Sequence, residues 1–451
     1  MYYDNWLNGM KEKIMEDYFT YLKFPSISAY KENGDNLKRC AHWLEKYLKE
    51  IGFQVQKWGD DNFPLIFGEK LYGDDVPTLL FYCHYDVQPA EPFELWYSDP
   101  FDPEIRNGRV YARGAEDNKG QSFYTLCAIK SFFEKNIDAK INIKVLIDAE
   151  EEMGSETLTK IIPIKEGELR ADCLLVVDVG MGSLDNPSIS IGARGIMTME
   201  VNCKVMDVDA HSGELGGIAY SPIRAITEVL GKIIDDKGRI VIPEFYRDIS
   251  PIFDEDKKAL DLFFDKKESE KTIGLTAFHS EDGYTTAETN LLRPTFEING
   301  ICGGYTGIGF KTIIPKEASA KISCRLVPKQ DFQHIYSIVC KYFNDHLPPG
   351  VVVEFKFHGG GAASFSSPNF KCVNIIKKVY TDIFGKCRLS LTGGSIPIVC
   401  DLSKCCNGEF VMLGTALEMD SIHAPNENFG LDQFKYGFLI IANALELFMK
   451  S

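Results

Sequence analysis

Residues 77–86 read PTLLFYCHYD, an apolar run that ends in a histidine and an aspartate. Two later stretches repeat the pattern: INIKVLIDAEEE at 141–152 and CLLVVD at 173–178. Such runs, separated by helical periodicity at 36–51 and 119–133, predict an α/β domain with a largely parallel sheet covered by helices. Ligands bind at the carboxyl ends of the strands of such sheets, so the polar residues that follow each run are expected to meet there.

The pattern changes after about residue 192. Apolar and polar residues alternate at 196–205 and 318–327, and helical periodicity appears at 223–234 and 332–346. Alternation is typical of a sheet with one solvent-facing side, so this region predicts a small inserted α+β domain.

The chain is expected to return to its first domain after the insertion. The glycine-rich segment at 359–363 is interpreted as a linker, and helices are predicted at 369–384 and 431–449. We therefore expect a catalytic domain built from 1–192 and 361–451, with the inserted domain at 193–360.

Composition narrows the class of protein. The chain of 451 residues is too long for one core and has a net charge of −16, which argues against nucleic-acid or anionic-membrane partners. The 13 cysteines show no CxxC pair, which favours reduced thiols. The apolar stretch at 438–449 is too short to span a bilayer, and the N-terminus shows no signal-peptide pattern. We expect a cytoplasmic enzyme.

The polar residues after the predicted strands are candidate metal ligands. His84 is two residues from Asp86, which can accept a hydrogen bond from the imidazole as in zinc sites. Each candidate has an ordinary alternative: a polar turn for His84, a helix N-cap for Asp117 and a solvated loop for the acidic residues 148–152. Asp178 follows a fully apolar strand, where an isolated carboxylate is harder to explain. His423 lies in the late polar loop SIHAPNEN.

The number of candidates indicates a two-metal site. Oxygen and imidazole ligands without a thiolate suit zinc, with manganese or cobalt as alternatives. Five ligands exceed what one open zinc site uses, but they suit two ions that share a bridging carboxylate. One further carboxylate must then act as the proton shuttle, and the acidic residues at 148–152 can supply it.

Eight motifs occur in the order found in one enzyme family: CHYDVQP, GRVYARGAEDNKG, DAEEEMGS, VVDVG, DAHSGELGG, CRLVP, TGGSIP and SIHAPNEN. The chain resembles the di-zinc metallopeptidase family of carnosine dipeptidases, glutamate carboxypeptidases, aminoacylase, acetylornithine deacetylase and succinyl-diaminopimelate desuccinylase. The resemblance implies an inserted ferredoxin-like domain that serves as lid and dimerisation domain. The long insertion at 240–295 is more similar to the dipeptidase branch than to the shorter deacylases.

The resemblance also implies individual roles. Asp117 is the expected bridging ligand, and Glu151 is the expected general base and acid. Asp86 is the expected partner of His84, and the peptide bond after Asp117 is expected to be cis. Asn118 stands where many relatives have Asp. The expected ligands of the two zinc ions are His84 and Asp178 on one ion, and Glu152 and His423 on the other.

Substrate-binding residues follow from the same resemblance. His211 matches a histidine that reaches across a homodimer to polarise the scissile carbonyl, although a loop histidine beside a turn is its ordinary interpretation. Arg325 and Thr312 match residues that hold the substrate's terminal carboxylate, although a surface arginine at a strand end is common. The loop of Gly394 and Ser395 is expected to approach the same group.

These observations predict a two-zinc hydrolase that cleaves dipeptides or similar small substrates with a free carboxylate. An N-acyl amino-acid deacylase with the same metal site is the alternative, and a non-catalytic dimeric binding module is a more distant one. A serine or cysteine hydrolase lacks a GxSxG-type nucleophile elbow.

Overall fold

The computed structural model describes residues 2–30, 34–249, 254–262, 264, 266–394 and 396–451. The chain divides into two compact units. The first comprises Met1–Gly192, Phe365–Ser390 and Asp401–Ser451, and the second comprises Ala193–Ser364 and Leu391–Cys400.

Helices and strands alternate along most of the chain. The helices are α1 (Tyr2–Gly9), α2 (Lys11–Leu22), α3 (Gly34–Ile51), α4 (Lys119–Lys135), α5 (Glu156–Leu169), α6 (Ser212–Leu215), α7 (Pro222–Leu230), α8 (Asp254–Ala259), α9 (Lys266–Ile273), α10 (Thr286–Leu292), α11 (Phe332–His346), α12 (Lys371–Phe384), α13 (Pro397–Lys404) and α14 (Leu431–Met449). The strands are β1 (Gln54–Trp58), β2 (Leu65–Lys70), β3 (Thr78–His84), β4 (Glu104–Arg106), β5 (Arg109–Tyr111), β6 (Asn142–Asp148), β7 (Cys173–Val177), β8 (Gly180–Ser183), β9 (Asn186–Ala193), β10 (Gly195–Lys204), β11 (Ala210–His211), β12 (Thr295–Gly303), β13 (Ile313–Ile314), β14 (Glu317–Leu326), β15 (Val352–Gly361), β16 (Ser364–Phe365), β17 (Arg388–Thr392), β18 (Phe410–Leu413), β19 (Ala416–Leu417) and β20 (Asn428–Gly430).

The main sheet has the order β1-β2-β6-β3-β7-β18-β9-β8-β19. Its central strands β6, β3, β7 and β18 are parallel, and β1, β2 and β9 pair antiparallel beside them. Every residue of β6 and β7 is buried, as expected when both faces are covered. The predicted α/β class with a largely parallel sheet is confirmed.

Strand register brings three polar strand ends to one level. His84 of β3 is the Cα partner of Asp148 of β6. Tyr82 pairs with Val176 of β7, so Asp178, two residues on, lies level with His84. The carboxyl ends of parallel neighbours therefore place the candidate ligands at one edge of the sheet.

The second unit contains a four-stranded antiparallel sheet of order β12-β14-β10-β15. Burial alternates along β10, and its buried side chains pack with those of α7 and α11 in a separate core. One difference concerns the glycine-rich segment that was interpreted as a linker, because Gly359, Gly360 and Gly361 form the end of β15 and pair with β10. Their composition suggested a loop, but the β10 ladder supplies partners for the glycine backbone.

Some helix boundaries also differ from the predictions. The helix predicted at 223–234 ends at Leu230. The short helices α8, α9 and α10 in the 240–295 insertion were not predicted, since helices of fewer than nine residues carry little periodic signal. Residues 250–253, 263 and 265 of that insertion lie outside the described residues.

Two further expectations concern the thiols and the membrane. The structure contains no disulfide among its described residues. Among the described residues, none of the helices combines the length and the apolar character that crossing a bilayer requires.

Candidate metal centre

Two groups of potential ligands lie at the carboxyl edge of the main sheet. The first comprises His84, Glu151 and Asp178, and the second comprises Asp117, Glu152 and His423. Within each group the ligand atoms all lie within 4.8 Å of one another. Residues from five separate segments of the sequence thus converge on two adjacent positions.

The ring of His84 is oriented by its own loop. Its Nδ1 lies 3.1 Å from the backbone carbonyl oxygen of Asp86 and 3.3 Å from an Asp86 carboxylate oxygen. Both partners are acceptors, which assigns the proton to Nδ1 and leaves the Nε2 lone pair for a metal. That Nε2 lies 3.1 Å from an Asp117 carboxylate oxygen and 3.3 Å from an Asp178 carboxylate oxygen, so the ring faces both carboxylates.

The two carboxylate oxygens of Asp117 face different histidines. Oδ1 lies 3.1 Å from His84 Nε2, and Oδ2 lies 2.9 Å from His423 Nε2. This is the arrangement that a ligand bridging two ions needs. The alternative role as a helix cap does not apply, because the N-cap of α4 is Asn118 and it makes no side-chain capping bond. The Asp117–Asn118 peptide bond is cis.

Asp86 has a second role that the sequence did not indicate. Its two carboxylate oxygens accept hydrogen bonds from the backbone N–H groups of Glu151, at 3.1 Å, and Glu152, at 3.2 Å. One buried carboxylate therefore positions the His84 ring and also the turn that carries both glutamates. Held in this way, Glu151 joins the first group and Glu152 the second.

Glu152 provides a direct test of whether a cation fits. Its Oε2 accepts a hydrogen bond from Gln88 Nε2 at 2.7 Å and lies 3.3 Å from His423 Nε2. Its Oε1 is buried and has no hydrogen-bond partner among the described residues. A buried carboxylate oxygen without a donor is costly unless a cation contacts it. The donor set and this oxygen both fit a divalent ion.

Electrostatics lead to the same conclusion. Burial raises the pKa of the Glu151 carboxyl well above its usual range, with a further increase from Asp178 that His84 opposes. The carboxylates of Asp117 and Glu152 raise the pKa of the His423 ring to about 10. The His423 shift comes from the carboxylates around its ring, and two divalent cations would neutralise that negative charge.

The acidic residues of the segment 148–152 have two different roles. Asp148 is fully buried and accepts hydrogen bonds from Ser155 Oγ at 2.6 Å and from Tyr82 Oη at 3.1 Å. Burial raises the pKa of its carboxyl to about 6. Glu150 accepts a hydrogen bond from the backbone N–H of Thr157 at 2.8 Å. The segment is therefore not a solvated acidic loop, since these two acids hold it while Glu151 and Glu152 face the candidate centre.

Asn118 has a defined place in the site. Its Nδ2 donates to the backbone oxygen of Val177 at 2.8 Å and to Asp178 Oδ1 at 2.6 Å, and its Oδ1 lies 3.4 Å from the His84 backbone nitrogen. The amide thus orients Asp178 by donation. An ionised aspartate at this position has no N–H to donate.

Replacing Asn118 by Asp tests this arrangement. Two acceptor oxygens would then face an acceptor-only carboxylate, and we expect the metal-free protein to lose about 1–3 kcal/mol of unfolding free energy. Urea denaturation of the EDTA-treated variant measures the loss. The control is Asn369→Asp at an exposed position before α12, whose side chain makes no hydrogen bond among the described residues, and it should lose no stability. Equal stability of the Asn118 variant and the wild type would contradict donation to Asp178.

The remaining candidates belong to the second unit. His211 is exposed on β11, and its Nδ1 accepts a hydrogen bond from the Gly213 backbone N–H at 2.9 Å. The backbone oxygen of Thr312 accepts from the Ser212 N–H at 3.0 Å, which holds the turn after His211. Arg325 lies on β14 opposite Ile196 and Thr295. Gly394 accepts a backbone hydrogen bond from Arg194 at 3.2 Å, and Ser395 lies outside the described residues.

Arg194 is a buried residue that the sequence analysis missed. Its guanidinium donates to the backbone oxygen of Arg293 at 3.0 Å and to Asn290 at 3.3 Å. Burial and the neighbouring Arg325 lower the pKa of Arg194 to about 10. The short segment GARG, in which Arg194 stands between two glycine-containing strand ends, was the only signal available.

The chain is similar to a family of known proteins over most of its length. The profile of peptidase family M20/M25/M40 matches residues 80–447. The chain is 27% identical over 452 residues to the Cys-Gly metallodipeptidase of Schizosaccharomyces pombe, over 96% of this chain and 94% of that protein. It is 32% identical over 273 residues to the Beta-Ala-His dipeptidase of Rattus norvegicus, over 59% of this chain and 54% of that protein.

Solved structures extend the likeness to the fold. An M20 family metallo-carboxypeptidase from Sulfolobus solfataricus has a TM-score of 0.86 and 29% sequence identity, over 97% of this chain and 99% of that one. The candidate ligands from His84 to His423 all lie within the region that the family profile matches.

Proposed function

Because this chain belongs to peptidase family M20/M25/M40 and is a metallopeptidase, we propose that it is a dipeptidase with two zinc ions, held by His84, Asp117, Glu152, Asp178 and His423. The observation that carries the proposal is the pair of ligand groups joined by Asp117. With Asp117 shared, each ion would have three protein ligands and an open position, as catalytic zinc sites do. Glu151 lies in the first group, but with Asp117 as the third ligand beside His84 and Asp178 it is not needed as a ligand.

Glu151 is the proposed general base and acid. Two bound ions would lower the pKa of a shared water and polarise the carbonyl of the substrate. The Glu151 carboxylate takes the proton from the attacking water and returns it to the amine nitrogen that leaves. Asp86 supports this role because it fixes the Glu151 backbone and orients the His84 ring.

The proposal includes residues of the second unit. Arg325, with Thr312 and the Gly394–Ser395 loop, binds the free carboxylate of the substrate, for which a guanidinium fork is suited. Dipeptides are favoured as substrates because the similar proteins are named as dipeptidases for Cys-Gly and β-Ala-His.

His211 is proposed to act across a homodimer. Because Gly213 donates to Nδ1, the neutral ring carries its proton on Nε2, which has no hydrogen-bond partner among the described residues. Val208 and Ile218, near His211 in the chain, are 73% and 79% exposed, and Phe310, three residues before the Ile313 that pairs with His211, is completely exposed. An apolar surface of this kind is typical of a protein interface. Its burial against a second copy would deliver the Nε2–H donor to the partner's substrate.

A substrate panel with metal reconstitution tests the function. Metal-free protein should be inactive and should regain activity with zinc, or with manganese or cobalt. We expect kcat/KM for Cys-Gly and β-Ala-His to exceed that for N-acetyl and N-succinyl amino acids by about tenfold or more. A preference for the N-acyl substrates would instead assign the deacylase function, and no hydrolysis of either class would contradict both. Thirteen cysteines without a disulfide favour the cytoplasm as the proposed location.

A further inference from the structure

Glu427 is a buried carboxylate that joins two ligand-bearing loops. It is fully buried and lies four residues after His423. Its Oε2 accepts hydrogen bonds from Arg113 Nη1 at 2.7 Å and from the Gly114 backbone N–H at 2.9 Å. Its Oε1 accepts from the backbone N–H groups of Glu116 and Asp117, each at 3.0 Å. Three of its four donors are therefore backbone groups of the loop that ends in Asp117.

The loop that carries His423 needs such support. Ser421, His423 and Asn426 all have positive φ, between 57° and 65°, in the left-handed region that non-glycine residues rarely adopt. Backbone of this kind persists where surrounding contacts over-determine it. Asn426 supplies one set of contacts, since it donates to the Leu95 carbonyl and accepts from the Tyr97 N–H, both at 2.8 Å.

The partner of Glu427 reaches a third segment. Arg113 is also buried, and its Nη2 donates to the backbone oxygen of Pro89 at 2.9 Å. Pro89 lies in the segment between His84, the last residue of β3, and the helical turn that begins at Phe93. The Arg113–Glu427 pair therefore links the loops of His84, Asp117 and His423, which supply ligands to both candidate positions.

An ordinary buried ion pair would account for Arg113 but not for the backbone donors. A pair that only stabilises the fold needs no particular relation to Asp117. Here one carboxylate oxygen is committed to the N–H of Asp117 itself and of the residue before it. Glu427 thus sets the distance between the Asp117 backbone and the His423 loop.

We propose that Glu427 is a positioning residue for the metal ion between Asp117, Glu152 and His423. The inference rests on the proposed two-metal function. The two ions should depend on Glu427 to different degrees. The ion at the second group needs the Glu427 contacts, because Asp117 and His423 both lie in loops that Glu427 joins. The ion beside His84 and Asp178 keeps two ligands on strand ends that Glu427 does not touch.

Glu427→Gln tests the proposal in the full-length protein. In this variant an N–H₂ group replaces one of the two oxygens and faces two hydrogen-bond donors. We expect the affinity of one of the two zinc ions to fall by about 10–100-fold, as for other groups that support metal ligands. The other ion should stay within about threefold of the wild type. Chelator competition, with zinc counted per chain, gives both constants, and circular dichroism reports the fold of the metal-free proteins.

The matched control is Glu281→Gln. Glu281 is a buried carboxylate of the second unit, paired with Arg293 through two hydrogen bonds of 2.7 Å. The same chemical change there should lower stability and leave both zinc affinities unchanged. Glu427→Asp keeps the charge but shortens the side chain, and it should also weaken one ion selectively.

The outcomes separate the inference from the proposed function. A wild type that binds fewer than two zinc ions contradicts the function itself. Two ions in the wild type, with unchanged or equally weakened affinities in Glu427→Gln, overturn the positioning role alone. Unfolding of both Glu427 variants without metal also overturns it, because the residue would then serve the fold rather than the site.

Discussion

Glu151→Gln is expected to lower kcat by about 10²–10⁴-fold while the protein keeps two metal ions per chain. The amide has nearly the same shape as the carboxylate, but it cannot take a proton from water at neutral pH. Because Asp86 holds the Glu151 backbone N–H, the exchange of one side-chain oxygen should leave the turn in place. Initial rates on a dipeptide, with zinc measured in the same sample, give both quantities.

Two variants make the result specific. Glu156→Gln carries the same change five residues away, where the side chain is exposed and pairs with Lys160, and its kcat should equal that of the wild type. Glu152→Gln should lose zinc as well as activity, because Glu152 is a proposed zinc ligand and Glu151 is not. Turnover by Glu151→Gln at the wild-type rate would remove Glu151 from its role as base.

The strand ends were predictable because local sequence determines them. The runs before His84 and Asp178 are apolar and bounded by polar residues, and parallel neighbours bring their carboxyl ends to the same edge of a sheet. The family membership and the fold class drawn from the motifs are both confirmed.

Contacts between distant segments could not be predicted from the sequence. Four carboxylates at 148–152 look alike in sequence, and only tertiary packing separates the inward Asp148 from Glu151. The hydrogen bonds between Glu427 and the loop of Asp117 connect residues more than 300 positions apart. Composition also misled at Gly359–Gly361, where pairing with β10 overrides the loop tendency of glycine.

The site on each chain is proposed to need His211 of a second copy, and this dependence gives the other large expected effect. His211→Ala should lower kcat by about 10²–10³-fold, the usual cost of removing one donor to a developing oxyanion. Zinc content should not change, since His211 is absent from both ligand groups. The loss alone does not say which chain supplies the histidine.

A mixed dimer separates the two possibilities. In a dimer of one His211→Ala chain and one Glu151→Gln chain, purified through two different tags, one site combines an intact Glu151 with an intact His211 from the other chain. The second site lacks both groups. With two equivalent sites per dimer, about half of the wild-type kcat should return, although each parent homodimer is nearly inactive. If His211 instead serves its own chain, each site in the mixed dimer lacks one group and the activity stays at the level of the parents.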